Sequence, residues 1–124
     1  MLTLSNNTRQ PLPQLPYQQI ASQTLGAKYD LSLVFIGDKK MRRLNQTYRQ
    51  KDKPTNVLSF PYSTHNGDLF IDLLYAKKEA PKYKHTYRQH ILFLFIHGLL
   101  HLKGMDHGSK MERREQQLLA LFNH

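Results

Sequence analysis

The sequence predicts an α+β fold, a small mixed β-sheet covered by helices. Two short runs, residues 29–36 and 55–60, are rich in branched and aromatic residues and read as strands. Segments with helical apolar spacing stand before, between and after them. A third observation places the core: from Ile91 to Leu102 the chain is apolar on every helical face, which marks a helix buried against the sheet. At 124 residues there is room for one such core, so a single domain is expected over residues 1–124.

The elements follow in order. Leu2, Thr3 and Leu4 open a short strand, and residues 6–11 form a loop that Pro13 and Pro16 end. Over residues 17–25, Ile20, Ala21 and Leu25 recur near helical spacing, and Gly26 closes that helix. The strand at 29–36 stops at Gly37 and Asp38, and Asp38 is expected to cap a basic helix. That helix presents Met41, Leu44 and Tyr48 on one face and carries its arginines outward. Residues 55–60 make the second firm strand, stopped by Pro61, and 63–67 are a turn. Another strand is expected at 68–74, then one long helix over 82–102 that Gly104 breaks. Residues 112–122, with Leu118, Leu119 and Phe122, read as a final amphipathic helix.

Eighteen Lys and Arg against nine Asp and Glu give a net charge of +9, which favours an anionic partner. The cations cluster at Lys39, Lys40, Arg42 and Arg43 and again at Arg49, Lys51 and Lys53, so a phosphate backbone is the best match. Without cysteine there is no disulfide, thiolate cage or cysteine nucleophile, and any metal must use His, Asp or Glu. The first residues lack a basic start followed by an apolar stretch, so a cytoplasmic protein is expected. The apolar run at 91–102 falls short of the roughly 20 residues of a membrane span.

Residues 97–107 read H-G-L-L-H-L-K-G-M-D-H. His97 and His101 lie four apart on one helix face, about 6 Å along the axis, so both rings reach one ion. Gly104 can turn the chain back so that His107 arrives at the same ion. Three imidazoles plus a water make the open tetrahedral site of a catalytic zinc, and nickel would also accept them. Two unpaired imidazoles in a run of Leu, Ile and Phe would each cost about 1–3 kcal/mol, which metal ligation avoids. His90 is two turns, about 11 Å, from His97 and cannot share its ion. His65, His85 and His124 read as solvated or salt-bridged. The segment also resembles the peptidase pattern H-E-x-x-H-x-x-G-x-x-H, but Gly98 stands where that pattern needs a glutamate base.

Every fixed position of H-G-x-L-H-L-x-G-x-D-H is present, and in this the chain resembles the YbeY family of bacterial ribosomal-RNA maturation endoribonucleases. The likeness extends through residues 45–49 and 53–61 to Gly67 and Asp68. It implies a small mixed sheet with helices and zinc bound by the three histidines. It also implies a functional arginine at Arg49, in the active-site cleft. A guanidinium there suits phosphate, since it stays charged and offers a planar fork of donors. The activity implied is single-strand-specific cleavage in small-subunit ribosomal-RNA 3′-end processing and ribosome quality control, with RNA and small-subunit proteins as partners. Asp106 is either the acceptor that orients a ligand imidazole or a cap on the turn after Gly104. Ser59 reads as structural, Lys103 as a snorkelling helix-end cation rather than a phosphate contact, Asn56 has no acidic role, and no general base is evident. Two alternatives stand beside the nuclease: a non-enzymatic ribosome-assembly factor with structural zinc, which needs a fourth protein ligand, and a zinc hydrolase of a non-RNA substrate.

Overall fold

A computed structural model describes residues 1–123. In chain order the elements are β1 (Leu2–Asn6), α1 (Tyr17–Leu25), β2 (Asp30–Ile36), α2 (Asp38–Arg49), β3 (Val57–Ser63) and β4 (Asn66–Asp72). They continue with α3 (Leu73–Glu79), a 3₁₀ turn (Ala80–Tyr83), α4 (Tyr87–Leu102) and α5 (Ser109–Phe122). The sheet order is β1-β2-β4-β3; β1 and β4 run parallel to β2, and β3 is antiparallel to β4. The fold is therefore α+β with a mixed sheet, as the sequence predicts. No helix among the described residues is long and apolar enough to cross a membrane, and His124 lies outside them.

Strand alternation sends side chains to two separate cores. Leu31, Leu33 and Phe35 of β2 and Leu69 and Ile71 of β4 pack with α1, α4 and α5 in the main core. The intervening residues Val34, Ile36 and Phe70 join Leu58 and Phe60 of β3 under Met41 and Leu44 of α2. Helix α2 thus covers one face of the sheet and α4 the other. Tyr48, expected on the buried face of α2, is instead 61% exposed, because the edge strand beneath it ends the apolar surface.

Strand β3 is an edge, and its register decides what faces outward. Asp72 donates its amide to the Asn56 carbonyl at 3.0 Å, so Asn56, Leu58 and Phe60 exchange bonds with β4. The backbone amides of Val57 and Ser59 then point out of the sheet. Pro61 falls in the same outward set, where its missing N–H costs no ladder bond. That is why β3 runs through Pro61 to Ser63 rather than stopping there.

Two further boundaries differ from expectation. The stretch 82–102 is not one helix: Pro81 sits in the 3₁₀ turn, Lys84 takes a left-handed φ of 57°, and Thr86 starts α4. Thr86 and Gln89 cap each other, Gln89 donating its amide to Oγ1 at 3.1 Å and Thr86 donating to Oε1 at 2.8 Å. Residues 73 and 74 leave the expected strand for α3, because Asp72 caps that helix by accepting from the Tyr75 amide at 3.0 Å.

The Asp72 carboxyl is fully buried, and burial first, then the facing Asp38 carboxyl, push its pKa up to about 7. Asp38 Oδ1 and Asp72 Oδ2 are each buried without a hydrogen-bond partner, a deficit that a proton on Asp72 relieves by making it a donor toward Asp38. A carboxyl raised in the folded state favours folding below the unfolded value, near pH 4, and that contribution is lost as pH rises through about 7. Asp72→Asn keeps the cap and needs no proton. Denaturant unfolding between pH 5 and pH 8 is expected to show a falling stability for the native protein and a flatter profile for the variant.

Candidate metal centre

Helix α4 carries His97 and His101 on its last two turns. Their Nε2 atoms are 3.2 Å apart, close to the roughly 3.3 Å edge of a tetrahedron around an ion with bonds of about 2.0–2.1 Å. Gly104 ends the helix in a Schellman motif. Its φ is 93°, its amide bonds the His101 carbonyl at 2.9 Å, and the Met105 amide bonds the Leu100 carbonyl at 3.0 Å. The reversed chain brings the exposed His107 back to the pair. One ligating nitrogen from each histidine lies within 4.8 Å of the others, so the three could hold a metal ion.

Neutral imidazoles are what an ion requires. Burial, reinforced by the neighbouring His97 and His107, holds His101 below the ordinary histidine value; a bond to the Met105 backbone and the charge of Asp106 oppose this. His97 is oriented by α5: its Nδ1–H donates to Glu115 Oε2 at 2.8 Å, which leaves Nε2 toward the other rings. Asp106 does not take this role and stays exposed. Glu115 was missed in the sequence, although it sits four residues after Met111 and three before Leu118 on the buried stripe of α5. A carboxylate on an apolar stripe is the signal that marks it. Glu115→Gln is expected to lower metal affinity about 10–100-fold with little change in fold, read by competition with a chromogenic chelator.

Gly98 lets α4 approach the sheet. A Cβ there would lie 2.5 Å from Leu69 Cδ1 and 3.1 Å from Val57 Cγ2. The Ser59 hydroxyl spans the same gap, donating to the Gly98 carbonyl at 3.1 Å, so Ser59 ties β3 to α4. Across the exposed edge of β3, Arg49 at the end of α2 faces the histidines. Arg49, residues 55–60 and the three histidines line one cavity of about 650 Å³. Among the described residues no acceptor holds the Arg49 side chain, whereas Arg42 is clamped by Asp52 at 2.7 and 3.0 Å. Arg49 is therefore available to an anion. Among the described residues no carboxylate lines the cavity.

His65, His85 and His90 stay apart from the cluster. His90 is buried, 2.7 Å from Glu79 through Nε2 and 3.0 Å from His85 through Nδ1. Glu79 also accepts from Asn56 Nδ2 at 3.1 Å, which gives Asn56 a positioning partner rather than an acidic role. His65 is exposed in the β3–β4 turn.

A mixed sheet bordered by a helix-borne histidine cluster, with Arg49 in the same cavity and no carboxylate base among the described lining residues, fits the metal-dependent class of hydrolases better than a glutamate-dependent peptidase. The family profile described as Endoribonuclease YbeY matches residues 4–123. The Endoribonuclease YbeY of Aliarcobacter butzleri is 34% identical over 98% of this chain and 92% of its own. That of Campylobacter jejuni is 39% identical over 80% and 79%. The solution structure of a Thermotoga maritima protein superposes with a TM-score of 0.67 over 96% of this chain and 87% of that one, at 20% identity, which shows the shared fold. The chain belongs to the YbeY endoribonuclease family.

Proposed function

We propose that this chain is a zinc-dependent endoribonuclease that cuts single-stranded RNA, with His97, His101 and His107 as metal ligands and Arg49 holding the scissile phosphate. The observation that carries this reading is that three clustered imidazoles and an uncommitted arginine open onto one cavity. Zinc held there would lower the pKa of a bound water toward neutrality and polarise a phosphoryl oxygen. The protein's own groups do the rest. Arg49 offers a planar fork to the phosphate, the outward amides of Val57 and Ser59 add neutral donors along the edge strand, and Glu115 keeps the His97 ring in register.

The biological setting proposed is 3′-end maturation of small-subunit ribosomal RNA and ribosome quality control in the cytoplasm, beside small-subunit proteins. Family membership and the net charge of +9 support it. An assembly factor with structural zinc would need a closed shell. Among the described residues the cluster has three members, which favours an open position.

The test is cleavage of ribosomal RNA by one metal-quantified preparation of native protein and Arg49→Ala. Expected is a loss of about 10²–10³-fold with zinc retained, comparable to removing one donor from a developing oxyanion. Native-like cleavage by the variant would remove Arg49 from the site. A native protein with full zinc that cuts no RNA would favour the assembly factor.

A further inference from the structure

We propose that the exposed ring of Tyr48 is a stacking platform for the nucleobase next to the scissile phosphate, and that it makes the site selective for unpaired RNA. This rests on the nuclease reading above. Tyr48 follows the helical spacing of Met41 and Leu44, yet Met41 is fully buried and Tyr48 is 61% exposed. Among the described residues no hydrogen bond holds its hydroxyl. The other strongly exposed tyrosine nearby, Tyr62, is tethered to Asp68 at 2.7 Å.

The ring is nevertheless held in place from beneath. It meets Phe60 with centroids 5.2 Å apart and planes at 60°, and Phe60 in turn meets Phe70 at 5.8 Å and 74°. Phe60 and Arg49 both line the cavity, so Tyr48, itself outside that lining, adjoins it through a ring contact on one side and the chain on the other. Arg49 is the next residue, which puts a phosphate-binding cation and an aromatic face on consecutive positions of one helix end. That is the pairing a single strand requires, with phosphate on the guanidinium and the adjoining base turned onto the ring. A duplex keeps its bases stacked and paired inside, where the ring has no access to them.

The experiment uses zinc-loaded native protein, Tyr48→Ala, Tyr48→Phe and Tyr62→Ala. A labelled single-stranded oligoribonucleotide is compared with its duplex and with versions abasic on either side of the cut, reading both KM and equilibrium binding by anisotropy. Expected for Tyr48→Ala is a rise in KM and Kd for single strands of about 5- to 100-fold, the range for losing one base stack. Tyr48→Phe should stay within about twofold of native, since the π-face is kept. One abasic substrate should reproduce the loss with native protein and add nothing to Tyr48→Ala. Unchanged single-strand KM and Kd in Tyr48→Ala overturn the proposal, as do additive losses on the abasic substrate or a loss confined to Tyr62→Ala. A native protein that binds single strands through Tyr48 but cuts none overturns the nuclease reading and leaves the platform standing. One that does neither overturns both.

Discussion

His101→Ala is expected to lose the metal and with it the cleavage of RNA. His101 is the central member of the cluster, with its ring 4.8 Å from both His97 and His107, which lie 5.2 Å from each other. Removing it leaves two ligands that do not share a helical face. The loss in cleavage should be at least as large as the about 10²–10³-fold seen when a single oxyanion donor is removed. Stability supplies a readout independent of RNA. Metal that binds only the folded state at a hundred times its Kd adds about 2.7 kcal/mol. Zinc should therefore raise the Tm of native protein by several degrees and leave His101→Ala unmoved. A variant that still gains stability from zinc and still cuts would show that the histidine cluster is not the metal site.

Gly98→Glu is expected to give the largest loss of stability. It also tests whether the chain is a peptidase missing only its glutamate. The position faces the sheet: a Cβ would press on Leu69 Cδ1 at 2.5 Å, and because Leu69 is fully buried any retreat of its side chain pushes on the core around it. Overpacking a core costs about 1–3 kcal/mol, and a carboxylate forced into the same apolar contact adds a further desolvation cost. Thermal unfolding should fall on the order of 10 °C or more, with no peptidase activity gained. Gly98→Ala isolates the steric part and should be destabilised too, despite the better helix propensity of alanine. A stable Gly98→Glu protein would mean that α4 has more clearance from β4 than its packing shows.

Much of the fold is legible in the sequence because it is written in short-range periodicity. The alternation of β2, the amphipathic spacing of α1 and α5 and the all-apolar α4 each follow from which residues a regular backbone sends to one side. The errors sit where a side chain competes locally with the backbone. Asp72 caps α3 and so turns two expected strand residues into a helix, while Thr86 and Gln89 start α4 at Tyr87, four residues after the 3₁₀ turn ends at Tyr83. A proline opposes a ladder, so the sequence predicts that the strand stops at Pro61. At an edge strand its ring faces outward and opposes nothing.

The proximity of His97, His101 and His107 needed no knowledge of the rest of the chain. Helix pitch sets the first two, and a glycine after the last turn sets the third, all within eleven residues of sequence. The other parts of the site come from residues far apart in the chain. Glu115 reaches His97 only because α5 folds back onto α4, and Arg49 faces the histidines only because α2 and α4 cover opposite faces of a sheet that ends at β3. Tyr48 is exposed for the same reason, since helical spacing places it on the apolar side but cannot say where the sheet beneath it stops. Local geometry is fixed by bond rotation and hydrogen bonding between near neighbours; which helix meets which strand edge depends on burying the whole core at once.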